Sequence, residues 1–273
     1  MSVNPQLRTL DIAIPAKPEA LVRLSLLMAE DDLNLAAIAA LIETDMALAA
    51  AVLKAVNSSL YGLEGRVQSV QQAITYLGLR EIAAITFELG LRAAFPPAAE
   101  LESLWQRAGR RGHWMGRLAQ RLGQDAWAAH SAGLFEECGK AILFRHAADH
   151  YAAMLRATAD DAELLTLERA GFGVSHDALG AAMCESWGLD AAAVASVRHH
   201  VAARCSARIP EAARRQELLA VTLMVGDLLD AHQDAEQRAT GLAAQVGWAP
   251  ELVLRMCRQL GDEIAAARQR GRT

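Results

Sequence analysis

Apolar residues recur at helical spacing along most of the chain. Leu35, Ile38, Ala39 and Ile42 fall at i, i+3, i+4 and i+7, and Leu48, Ala51, Val52 and Ala55 repeat the pattern. That spacing marks helices with one buried face. Asp45 stands between the two stretches, placed to cap the second helix. Ser69 followed by Gln72 forms a capping box ahead of Ala73, Ile74 and Leu77, and Gly78 suits the stop beyond them. Pro210 fits the first turn of a further helix carrying Leu218, Thr222, Val225 and Leu229 on one side. No segment alternates apolar and polar residues between hairpin signals. The pattern therefore predicts an all-α protein.

Interruptions in the pattern suggest its organisation. Residues 1–17 carry Pro5 and Pro15, with Pro18 close by, and Pro96-Pro97 follows a helix ending near Phe95. The pair predicts a subdomain boundary, because proline and the residue before it resist helix. A second helical region runs from about Leu101 to Asp230. From Ala239 onward comes a helical appendix whose last helix starts at Pro250, with Leu252, Leu254 and Met256 facing either inward or toward a second copy. No repeat of fixed period appears, which counts against a solenoid.

Composition strengthens the helical reading and narrows the function. Apolar residues make up 53% but aromatics only 5%. Alanine, the best helix former, fills much of the difference, while strand-favouring residues are thin. With 27 basic against 32 acidic side chains and no block of five or more like charges, the chain lacks the basic footprint of a nucleic-acid binder. Arg268, Arg270 and Arg272 read as a solvated helix end. Cys138, Cys184, Cys205 and Cys257 lie far apart with no Cys-x-x-Cys pair, which fits reduced thiols. No apolar run reaches the roughly 18 residues of a membrane span, and no signal peptide opens the sequence. A cytoplasmic protein with no membrane partner is expected.

Motif searches leave few chemical candidates. There is no phosphate-binding Gly-Lys loop and no Gly-x-Ser-x-Gly elbow. Gly171-Phe172-Gly173 begins like a dinucleotide fingerprint, yet it continues Val174-Ser175-His176 with no strand before it. A helix connection is the better reading. His146 and His150, four apart, would share a helix face, which could chelate a metal but reads better as a polar helix face. Of the adjacent His199-His200 pair, only one can face a given site. Glu136-Glu137 could hold a hard cation or act as acid and base, or be a solvated helix end. Ser58 and Ser59 read as helix-end hydrogen bonders, since no base stands beside them.

Taken in order, these residues resemble the HDOD family, the HD-related output domain of bacterial signalling proteins. Residues 41–62 resemble the family's acidic helix start and Asn-Ser element, with Met46 where proline is usual. Residues 69–78 resemble its Ser-x-x-x-Ala-Ile-x-x-Leu-Gly segment. Gly133-Leu134, Gly139-Lys140, His176, Gly180, Trp187 and His199-His200 fit its second half. The resemblance spans about residues 14–235. It implies an N-terminal helical subdomain (about 18–95) packed on an HD-like helical bundle (about 100–235), with a C-terminal appendix over 236–273.

The catalytic relatives, HD phosphohydrolases, hold one or two metals with an early His, a His-Asp doublet, a later Asp and often further His residues. On this resemblance His113 takes the early position, His176 and one of His199 or His200 the additional ones, and Asp227 the late one. The doublet falls on Glu136-Glu137. Glutamate substitutes a charged oxygen for an imidazole nitrogen and moves the second carboxylate out by one methylene, and metal sites are sensitive to both changes. The resemblance therefore implies a vestigial cleft with no catalytic residue, metal or cofactor, its histidines hydrogen-bonded to Glu136 or Glu137. Asn57 and Ser58 are expected to make polar contacts between the subdomains. The implied function is a non-enzymatic signalling module. An unidentified partner protein or small ligand, held in a groove between subdomains, would shift their arrangement. The alternative is a metal-dependent phosphohydrolase of a nucleotide or cyclic dinucleotide, which requires bound metal and fails on His113→Ala or Asp227→Ala.

Overall fold

The computed structural model describes residues 11–28, 30, 34–58, 63, 65–210 and 216–270. Pro5, Ser59, Tyr61-Gly62, the helical turn expected after Pro210, and Arg272 lie outside those residues. The protein is all-α, with no strand among the described residues. It divides into two compact units: residues 16–95 with 263–273, and residues 1–15 with 96–262. Among the described residues, no single helix is long and apolar enough to cross a membrane.

The N-terminal unit comprises α1 (Glu19–Met28), α2 (Leu35–Glu43), α3 (Met46–Val56), α4 (Val70–Leu77) and α5 (Leu79–Ala93). Short polar side chains set the helix starts. Asn34 accepts from the Ala37 N–H, Asp45 from Ala47 and Leu48, and Ser69 from Gln72, each supplying an acceptor for an otherwise orphaned donor. Gln72 reaches back to the Gln68 N–H at 2.8 Å, one residue earlier than a standard capping box. Gly78, at φ 82°, closes α4 and opens α5. α5 is the core of the unit, burying Ile82, Ala83, Ile85, Phe87 and Leu91 among others. Gly90 permits that packing, since a Cβ there would fall 2.6 Å from Leu21 Cδ2.

Residues 96–262 hold α6 (Ala99–Arg121), α7 (Ala126–Phe135), α8 (Cys138–His146), α9 (Ala148–Ala157), α10 (Asp161–Phe172), α11 (His176–Ser186), α12 (Ala191–Ser206), α13 (Gln216–Leu229) and α14 (Ala235–Gln245). They also hold the start of α15 (Pro250–Arg270), so residues 236–262 group with the bundle. α6, α7, α12 and α13 pack on one another, with α8 and α11 set beside them. α7 is buried from Ala128 to Phe135 and α8 from Cys138 to Phe144, α8 including Lys140, whose charge is paired with Asp161. Ser196 and Thr222, both buried, satisfy each other across α12 and α13 at 2.6 Å.

Two glycines set how close the helices come. At Gly139 a Cβ would overlap the His176 carbonyl oxygen and approach the Gly180 nitrogen, so α8 and α11 meet backbone to backbone. At Gly133 a Cβ would lie 2.8 Å from the Arg111 carbonyl carbon, which sets α7 against α6. These contacts bring the α7–α8 junction, the start of α11 and the Arg111 face of α6 into one region.

Candidate functional site

Glu136 and Glu137 occupy the junction between α7 and α8, 1% and 3% exposed. This overturns the solvated helix-end reading. Carboxylates so deeply buried must be paired to stay ionised, and the structure supplies the partners. Arg111 Nη1 lies 2.9 Å from Glu136 Oε1 and also bonds Glu137 Oε1. Arg204 Nη2 reaches Glu136 Oε1 at 2.8 Å, and Arg107 Nη2 reaches Glu137 Oε2 at 2.7 Å. Lys140 Nζ stands 3.7 Å from Glu137 Oε2 and 2.7 Å from Asp161 Oδ1.

Electrostatics follow from this arrangement. Burial alone would push the Glu137 carboxyl up, but Lys140, Arg111 and Arg107 outweigh it and hold it well below the usual carboxylate range. Burial likewise opposes ionisation of Glu136, and Arg111 and Arg204 reverse the direction. Burial also pushes the neighbouring Cys138 thiol up, so it is no thiolate nucleophile at neutral pH.

The other residues at HD-like positions are arranged differently from expectation. Arg107 and Arg111 share a face of α6, and His113 lies about 200° round the axis from Arg111. It sits edge-on to Trp114, with ring centroids 4.8 Å apart. α6 therefore presents arginine, not the early histidine, to the doublet. Asp227, 3% exposed, is held by Arg238 of α14 at 2.7 Å. The doublet does not fit a divalent cation, because the Arg111 guanidinium already bridges both carboxylates with positive charge.

His176 and His200 are fully buried, but their hydrogen bonds do not go to Glu136 or Glu137 as expected. The His176 N–H donates to Glu168 Oε2 at 2.8 Å, and its Nδ1 lies 2.9 Å from both Glu168 oxygens. Tyr151 donates its hydroxyl proton to the same carboxylate at 2.6 Å. His200 Nδ1 lies 2.7 Å from the Val197 carbonyl oxygen. Burial, opposed by Glu136 and aided by His176 and Arg204, pushes His200 down to about 4, so its ring is neutral at physiological pH. His199 stands half-buried on the same helix, so His200 is the member of the pair that turns inward. The two buried rings face each other at 5.8 Å between centroids. Ligand atoms of His176, His200 and Asp161 lie within 4.8 Å of one another, a grouping that includes neither His113 nor Asp227.

Two further expectations change. His146 ends α8 and His150 belongs to α9, so a shared helix face does not exist; His146 instead packs edge-on to Phe172. Asn57 Nδ2 donates to Leu53 O and Val67 O, its Oδ1 accepts from the Val67 N–H, and Ser58 Oγ donates to Ala55 O. These bonds are internal to the N-terminal unit, where they staple the end of α3 to the segment before α4.

Sequence reasoning gave Lys140 no role at the site and missed Arg107, Arg111, Asp161, Glu168 and Arg204. A signal for the cations was present. Glu136-Glu137 interrupts an apolar stretch running from Ala126 to Phe144, and carboxylates in a buried helix pair require cations on facing helices. An open cleft of about 470 Å³ leads to these groups, bordered by Arg107, Lys140, Asp161, Arg204, His232 and Arg238.

Comparisons with known proteins identify the family and the fold. The HDOD domain profile matches residues 14–203. An uncharacterized protein of Treponema pallidum (strain Nichols) is 30% identical over 195 residues, which cover 68% of this chain and 37% of that protein. The chain thus spans little more than a third of that relative. A crystal structure of an HDOD domain protein of unknown function from Geobacter sulfurreducens superposes with a TM-score of 0.71 at 19% identity, over 93% of this chain and 92% of that one. A Marinobacter aquaeolei VT8 protein, provisionally described as a signal transduction protein, gives 0.71 at 23% identity over 99% of this chain and 63% of that one. A Shewanella amazonensis SB2B protein, provisionally described as a phosphohydrolase, gives 0.68 at 18% identity over 96% of each. At such identities the structures establish the fold alone.

Proposed function

This chain belongs to the HDOD family, a degenerate relative of the HD phosphohydrolases, and on that premise we propose that it is a non-enzymatic signalling module that binds a partner protein or a small ligand. The observation that carries the proposal is the Arg111 bridge between Glu136 and Glu137. Metal-dependent hydrolysis needs a cation with an open coordination position, which lowers the pKa of bound water and makes a nucleophile at neutral pH. A guanidinium supplies the positive charge but neither the open position nor the acidified water. Arg238 on Asp227 repeats the substitution at the late position. What remains is a charged cleft whose rim cations, Arg107, Arg204 and Arg238, keep part of their surface in solvent. An occupant would act by preferring one arrangement of the helices over another.

The test is a turnover assay paired with a binding assay. Untagged protein supplied in turn with manganese, magnesium and zinc is expected to leave bis(p-nitrophenyl) phosphate and cyclic dinucleotides unhydrolysed. Any of the dinucleotides that registers in calorimetry should be recovered intact. Metal-dependent turnover that disappears in Asp227→Ala would overturn the proposal and restore the phosphohydrolase alternative.

A further inference from the structure

We infer that His176, His200 and Asp161 form a site for one divalent transition-metal ion, separate from the arginine-held Glu136-Glu137 pair. The argument starts from two orphaned atoms. Nε2 of His176 and Nε2 of His200 are buried without a hydrogen-bond partner among the described residues. A lone buried nitrogen of this kind is costly, and two facing each other require an occupant.

The tautomers identify what kind of occupant. His200 Nδ1 faces the Val197 carbonyl oxygen and His176 Nδ1 faces the Glu168 carboxylate, both of which only accept hydrogen bonds. Each ring therefore carries its proton on Nδ1 and offers a lone pair at Nε2. Asp161 adds a third acceptor from the first turn of α10. Its carboxylate has two oxygens, so it can keep Lys140 on one and offer the other. Three acceptors thus converge. With Asp161 already held by Lys140, one water would serve only the two histidine nitrogens, whereas a divalent cation engages both nitrogens and the carboxylate.

The surroundings suit a metal as well. A ligating histidine typically donates its other N–H to a carboxylate or carbonyl that fixes the ring and raises its basicity. Glu168, itself held by Tyr151, does this for His176, and Val197 does it for His200. Two imidazole nitrogens and one carboxylate oxygen favour zinc or cobalt over magnesium or calcium. Metal–ligand bonds of about 2.0–2.2 Å require the donor atoms to draw in by about 1 Å from their present spread. Bound there, the ion would tie α10, α11 and α12 together. The two histidines fall at positions of additional HD-type ligands, while Asp161 is new to the set and neither His113 nor the doublet nor Asp227 contributes.

Untagged full-length protein, stripped with a chelator and dialysed, would be titrated with Co²⁺ and then with Zn²⁺. One equivalent of Co²⁺ should bind with a visible absorption band, be displaced by one equivalent of Zn²⁺, and raise the thermal midpoint. His200→Gln and Asp161→Asn should abolish the band, and Glu168→Gln should weaken binding about 10–100-fold. Asp227→Asn should leave it intact. Asp161 is not fully buried, so Asp161→Asn keeps the test usable if His200→Gln fails to fold, with circular dichroism as the check. Folded protein that takes up neither ion would overturn the inference, and so would binding that survives both ligand variants. Hydrolysis by the metal-loaded protein would overturn the module proposal and leave this site standing.

Discussion

Glu137 shows how a buried charge makes stability depend on pH. Its carboxyl is held below the usual range because burial, which opposes ionisation, is outweighed by Lys140, Arg111 and Arg107. A group whose folded pKa is depressed contributes stability above its unfolded pKa, about 4.3 for glutamate, and that contribution drains away as pH falls below it. Urea midpoints measured from pH 7 to pH 3 should therefore drop below about pH 4.5. Glu137→Gln should lower the urea midpoint at pH 7, a stability loss of about 3–5 kcal/mol, since it leaves buried Arg111 with one carboxylate fewer. The same variant should flatten the acid limb. An acid limb as steep as the native one would assign the effect to other carboxylates. Which cations engage Glu137 could not be read from the sequence, because Arg107 and Arg111 stand 30 and 26 positions away and the chain holds many other basic residues.

Among the helices, glycines decide which faces meet. Gly139 was visible in the sequence only as part of a family-like Gly-Lys pair; the structure gives it a cause, the backbone contact with the start of α11. Gly139→Ala should cost about 3 kcal/mol or more, the upper end for overpacking, because a carbonyl oxygen cannot rotate aside as a side chain can. Loss of thermal stability measured by calorimetry checks this, and a native midpoint would show that α8 and α11 are free to separate. Periodicity and capping placed the helices they marked in the N-terminal unit, including the starts at Asp45 and Ser69. They failed where nothing local marks a break. The Arg145-His146-Ala147-Ala148 stretch has no proline or glycine, yet Ala147 leaves the helical region at φ −151° and divides α8 from α9. In α15 the buried stripe is Val253, Cys257, Leu260 and Ile264. Leu252, Leu254 and Met256 do not follow that stripe.

At the scale of the molecule, the chain joins its two units at Pro15–Ala16, at Phe95–Pro96 and within α15. The Pro96-Pro97 pair explains the second junction, since α5 cannot continue through it. The first depends on a long-range contact: Trp187 Nε1 donates to the Pro15 carbonyl oxygen at 2.9 Å, with Trp187 only 3% exposed. All five tryptophans fall within residues 96–262, so their fluorescence reports that unit alone. Removing residues 1–15 should lower the fluorescence-detected midpoint, with a loss on the order of 1–2 kcal/mol for the unmet indole N–H. An unchanged midpoint would mean that water replaces Pro15 at no cost.

The sequence by itself determined the helical class, several helix limits and the family, because periodicity, capping and ordered short motifs are local properties of the chain. It also located Glu136-Glu137, His176 and His200. Only the tertiary structure decided what those residues do. Arginines from α6 and α12 neutralise the doublet, Glu168 and Val197 fix the histidine tautomers, and Asp161 completes the acceptor cluster. Each depends on residues distant in sequence meeting in a buried space, where an unpaired charge or lone pair is costly enough to select its partner.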